Sequence, residues 1–209
     1  MLRQTLPALA LLAGAACADD TPTSASGVAG HEAHANAGLG RGYLGPEVLA
    51  EFAQVRRVTA RFHDIDKAIA AGYVAWSPNP FVENATCPSS AEGNMGYHLV
   101  NVGLRGGAAD PAAGDAVLDP LQPEMLLYEK RADGSVHLVG VEYLVFTAAW
   151  EREHGTGAAP PEVLGQPVPP SIHTFPGNPN PIPHYELHVW LWSSNPLGMF
   201  APWNPTVTC

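Results

Sequence analysis

Positive charge is scarce in this chain: 10 Lys and Arg stand against 20 Asp and Glu in 209 residues. There is no basic patch, which argues against nucleic-acid binding and against steering toward anionic substrates. Cysteine is scarcer still, with Cys17, Cys87 and Cys209 alone and no CxxC pair, so a thiolate metal site is disfavoured. The longest apolar run near the start, Leu6 to Ala13, is too short to span a membrane, which takes about 20 residues. No HExxH helix, phosphate loop, dinucleotide fingerprint, Ser/His/Asp order or internal repeat is readable. What remains for chemistry is imidazole and carboxylate.

Residues 1–16 read as an export signal: Arg3 gives a short positive region, an apolar stretch follows, and small residues close it. Gly14-Ala15-Ala16-Cys17 resembles a lipobox, while Ala16-Cys17-Ala18 also fits ordinary signal cleavage before Asp19. Cysteine arithmetic favours lipidation of Cys17, because Cys87 and Cys209 then remain as an even pair for a disulfide in an oxidising compartment. Residues 17–44 are rich in Ala, Gly, Ser and Thr and cannot bury enough apolar surface to offset their ordering entropy, so they read as a tether. His31 and His34 in it are read as solvated. The expected location is the periplasm or outer envelope face, membrane-anchored, with a secreted soluble form as the alternative.

Residues 45–209 have the length of one globular domain. Pro46 opens an amphipathic helix whose stripe is Val48, Leu49, Phe52, Val55, Val58, Phe62, Ile65 and Ile69, with a bend near His63 and a stop at Gly72. Arg56, Arg57, Arg61 and Lys67 read as its solvated face. Strands are expected at Met95 to Val102, Met125 to Lys130 and His137 to Phe146, the last two joined by an Ala132-Asp133-Gly134 turn. Residues 147–183 read as a short helix, Ala148 to His154, followed by a proline-rich loop. The fold class is therefore α+β: an N-terminal amphipathic helix on an antiparallel sheet, either open or closed into a small barrel.

The most informative stretch is His184-Tyr185-Glu186-Leu187-His188-Val189-Trp190-Leu191-Trp192. As a strand it puts His184, Glu186, His188, Trp190 and Trp192 on one face. His184 and His188 are then about 13 Å apart, so next-but-one pairs such as His184 with Glu186 are favoured over a shared ion between the two histidines. Glu142 is the other anomaly, a carboxylate inside an apolar strand, which needs Arg105, Arg131 or a histidine as partner or else stays protonated. The metal reading gathers His98, Glu142, His188, and Glu186 or His184 around one divalent ion, with zinc, iron, copper and manganese all compatible. Each residue has a plainer role as well: His98 as a core histidine bonded to a carbonyl, His184 and His188 at an exposed strand edge.

The segments Met95-Gly96-Tyr97-His98, Val141-Glu142-Tyr143, His184 to Trp190 and Phe200-Ala201-Pro202-Trp203-Asn204-Pro205 together resemble a group of uncharacterised exported bacterial proteins. That resemblance implies an anchored or secreted location and no activity. The function expected is an envelope lipoprotein with a mononuclear metal site, with a metal-dependent enzyme of unspecified reaction as one form of it. The alternative is a small-ligand or haem-binding module with a pocket lined by Trp190, Trp192, Tyr97 and Tyr143.

Overall fold

The computed structural model describes residues 45–75, 87–175 and 178–209. The export signal, Cys17, the tether with His31 and His34, and the Asn84-Ala85-Thr86 glycosylation triplet lie outside those residues.

Pro46 occupies the first helical position of α1 (Pro46–Thr59), where its missing N–H costs nothing. The helix tightens into a 3-10 turn, Ala60–His63, and restarts as α2 (Ile65–Ala70). Asp64 caps that restart by accepting a bond from the Asp66 amide at 3.2 Å, which is the expected bend near His63. Phe52, Val55 and Phe62 are buried, whereas Leu49 and Ile69 are 52% and 54% exposed. The apolar stripe is thus narrower than periodicity suggested. Gly72, at φ +92°, ends the helical segment and leads into β1 (Tyr73–Ala75).

A small hairpin follows, β2 (Ser89–Ser90) and β3 (Gly93–Asn94), and then β4 (Tyr97–Asn101). Val102 opens the one-turn α3 (Val102–Arg105) instead of ending the strand as expected, since Asn101 caps the turn through the Gly103 amide at 3.1 Å. β5 (Met125–Lys130) and β6 (Val136–Phe146) form the anticipated hairpin, closed by the Arg131 amide donating to Ser135 at 2.9 Å. After α4 (Thr147–His154) the presumed loop holds three strands: β7 (Glu162–Val163), β8 (Gln166–Pro167) and β9 (Pro170–Phe175). β10 (Asn178–Val189) completes the chain's regular structure.

The main sheet is antiparallel in the order β1-β4-β5-β6-β10-β9, and it curls into a half-barrel rather than a closed one. The apolar β6 sits in its interior, as a strand buried on both faces must. Cross-strand partners share a face. One face carries Tyr97, Tyr128 and Leu138, then Leu99, Leu126, Val141 and Val189, then Tyr143 and Leu187. Here the Tyr128 hydroxyl donates to the Phe62 carbonyl at 2.7 Å and Phe62 packs edge-on against Tyr73 at 5.2 Å, so the helical layer covers this side. The other face carries the polar anomalies described below.

The C-terminal tail is strapped across the sheet. The Asn94 and Asn204 amides donate to each other's carbonyls at 3.2 and 3.0 Å, and the Lys130 amide donates to Thr208 at 3.3 Å. Cys87 and Cys209 lie at disulfide distance, with their Cα atoms 6.1 Å apart. Phe200 packs on Phe52 at 5.9 Å, and Trp203 is buried. Among the described residues no helix is long and apolar enough to cross a membrane.

Candidate metal centre

Strand alternation and register decide which polar groups meet. On β6, Glu142 lies directly opposite His188 of β10 and, on its other side, opposite Met125 of β5. On β4, His98 lies opposite Leu127, which in turn faces Gly140. Glu142 and His98 therefore share a face two strands apart and meet diagonally over β5. The missing side chain at Gly140 is part of this arrangement: a Cβ there would sit 2.7 Å from the Val189 carbonyl oxygen and 3.3 Å from a Leu127 methyl.

The outcome is a buried trio. His98 Nε2 lies 3.1 Å and His188 Nε2 3.6 Å from Glu142 Oε2, and all three side chains are at most 4% exposed. The two imidazole planes are nearly perpendicular, 89°, with centroids 5.9 Å apart. Burial pushes the Glu142 carboxyl upward, but His188 and His98 outweigh it and hold the group below its ordinary range. The partner of Glu142 is thus histidine. Arg131 is taken by Glu129 at 2.9 Å, and Arg105 acts only at longer range. Arg105 is itself buried, its guanidinium 5.4 Å from the Phe146 ring and 5.2 Å from that of Phe175, and burial lowers its pKa to about 10 against the opposing pull of Glu142.

One step along β10 a second trio forms. His184 Nε2 lies 3.0 Å from Glu186 Oε2, the next-but-one pairing expected of a strand, and His173 Nε2 of β9 lies 3.2 Å from the same oxygen. Burial raises the Glu186 carboxyl, yet the bonds from His173 and His184 prevail and hold it well below its ordinary value. For His173, burial acts downward, and the Glu186 carboxylate more than reverses it.

The five sequence-derived ligands do not gather at one point. His98, Glu142 and His188 form one group; His184 and Glu186 form another with His173, and in each group the candidate ligand atoms lie within 4.8 Å of one another. A strand spaces alternate residues about 7 Å apart, so no single ion could reach all five. His173 went unread because prolines surround it. The signal was weak: the β-branched Ile172 and Thr174 and the aromatic Phe175 favour a strand, but the segment lacks a clean alternation.

The tryptophans also divide. Trp190 stacks on His188 at 6.2 Å and donates to the Ala201 carbonyl at 2.6 Å, staying near the first trio. Trp192 leaves the strand pattern: its amide and that of Ser193 both donate to Val139, and its ring meets His63 at 4.5 Å and the Arg56 guanidinium at 5.7 Å. Arg56 is exposed, as expected of the solvated face, and also donates to the Leu191 carbonyl at 2.5 Å.

Two buried His/Glu clusters that could hold a metal ion thus lie on one face of a curled antiparallel sheet. That is the class the fold and site define: an α+β domain with candidate metal-ligand groups inside it. No family model, curated protein or solved structure matches the chain.

Proposed function

We propose that the chain is an exported bacterial lipoprotein whose His98–Glu142–His188 trio binds a divalent first-row transition ion. In this reading Cys17 carries the lipid and residues 17–44 tether the domain at the envelope. The carrying observation is that three metal-ligand side chains from three different strands converge at a buried point, with both imidazole Nε2 atoms directed at one carboxylate oxygen. Held together by protons alone, the trio would confine either an unneutralised carboxylate or charged imidazole in a low-dielectric interior, at a desolvation cost of several kcal/mol per ion. A divalent ion offsets the carboxylate charge and leaves both imidazoles neutral. Two imidazoles and one carboxylate suit zinc, iron, copper or manganese, and three protein donors leave a coordination position for water or substrate, as in metal-dependent hydrolytic enzymes. The ion would supply Lewis acidity there. The residues of the chain orient it and exclude bulk water.

The haem or small-ligand reading draws less support. Tyr97 and Tyr143 belong to the main core, whereas Trp190 packs with Leu127, Val139 and Val207.

Elemental analysis of the purified protein tests the proposal. Bound metal is expected, with the equivalent held by this trio lost on His188→Ala or Glu142→Gln and secondary structure retained. A metal-free wild type that is nevertheless destabilised by these changes would make the trio an ion-pair cluster. The anchor is tested separately: Cys17→Ser should move the protein from the membrane to the soluble fraction, and unchanged fractionation would remove the lipoprotein assignment.

A further inference from the structure

The histidines of the second trio are oriented in a way that protons alone do not explain. His184 Nδ1 lies 2.7 Å from the Ile182 carbonyl oxygen, and His173 Nδ1 lies 3.2 Å from that of Thr174. A carbonyl only accepts, so each Nδ1 carries the hydrogen. In the neutral imidazoles both Nε2 lone pairs then point at Glu186 Oε2, from 3.0 and 3.2 Å. Three lone-pair atoms facing one another repel. Protonating one ring still leaves the other Nε2 lone pair against the carboxylate oxygen, and protonating both would place two imidazolium ions 4.3 Å apart, centroid to centroid, with one of them fully buried. A cation among the three atoms relieves the repulsion without those charges. A Nδ1–H to carbonyl bond also holds the ring of a metal-binding histidine in place and leaves Nε2 as the ligand atom.

We propose that His173, His184 and Glu186 form a second metal site, separate from the first and selective for a divalent transition ion that accepts imidazole. This goes beyond the single ion of the function proposed above and rests on its own hydrogen bonds. The two sites also differ in access. His98, Glu142 and His188 are sealed, whereas the His173 side chain on the edge strand β9 is 24% exposed. The second ion therefore exchanges with the surroundings and the first does so slowly. Glu186 and His188 are two residues apart on β10, so the sites are neighbours on one strand.

The test is metal stoichiometry on the intact protein, stripped with a chelator and reloaded with zinc, together with cobalt titration followed by absorbance, which needs no variant. Two equivalents are expected, one leaving quickly on renewed chelator challenge. His173→Ala should lose that fast equivalent and keep the slow one, and His188→Ala should do the reverse. His173 is partly exposed and on an edge strand, so its replacement leaves the core intact. One slow equivalent, unaffected by His173→Ala, would overturn the second site while leaving the first. One equivalent removed by His173→Ala and indifferent to His188→Ala would support the second site and refute the first. No bound metal in wild type by either method would refute both.

Discussion

Converting Cys87 and Cys209 to serine removes the covalent link between the approach to the β2–β3 hairpin and the C-terminal tail. The two are 122 residues apart, so the bond closes a ring that takes in nearly all of the sheet. In the chain-entropy relation a ring of that size destabilises the unfolded state by about 5 kcal/mol at 25 °C. That figure is an upper value, and about 2–4 kcal/mol is the usual yield. The folded tail does not depend on the bond alone, because Asn94, Asn204, Lys130 and Thr208 continue to hold it. The variant should therefore keep its fold and lose stability mainly through its freer unfolded chain. With a urea dependence of about 2 kcal/mol per molar, the midpoint should fall by about 1–2 M. Reduction of the wild type by dithiothreitol should give the same fall, and the serine variant should then be insensitive to reductant. A midpoint that stays put in both experiments would show that ring closure contributes nothing and that the hydrogen-bonded strap suffices.

Two further outcomes follow from particular buried positions. Glu124 is buried, and burial pushes its carboxyl well above the ordinary range, against opposing backbone hydrogen bonds from its own and the Leu144 amides. A carboxyl raised in the folded state contributes stability that is full at low pH and falls as pH rises through the folded pKa. Glu124→Gln removes that fall, so the variant should be more stable than wild type at pH 7, with the gap closing toward pH 4; equal midpoints at pH 7 would contradict this. Gly140→Ala sets a Cβ 2.7 Å from the Val189 carbonyl oxygen, which backbone alone can relieve, so a loss of about 1–3 kcal/mol is expected in urea unfolding, together with weakened metal binding as Glu142 and His188 lose register; wild-type stability would refute the close packing.

Much of the fold was legible because period and punctuation are local. Pro46 and Gly72 bracket the helical segment, Asp133-Gly134 marks the hairpin, and the apolar run of β6, broken only at Glu142 beyond His137, shows a strand covered on both sides. Misreadings arose where a local signal met a competing one. Prolines concealed β9, although an edge strand has one side on which a missing N–H is harmless. Asn101 capped a turn where continuation of β4 was expected, and two amides on Val139 turned Trp192 toward the helices.

The chain's own pattern determined the residue types of the site and the face each would occupy: His184, Glu186 and His188 alternate on a strand, and Glu142 interrupts an apolar one. Which of them meet was decided by pairing between strands distant in sequence. The β6–β10 register sets His188 against Glu142, the β4–β5 and β5–β6 registers set His98 diagonally across β5 from Glu142, and the pairing of β9 with β10 brings His173 to Glu186. Alternation along one strand carries no information about its neighbour's register. A shift of one residue in either pairing would keep every local preference and separate the imidazoles from their carboxylates.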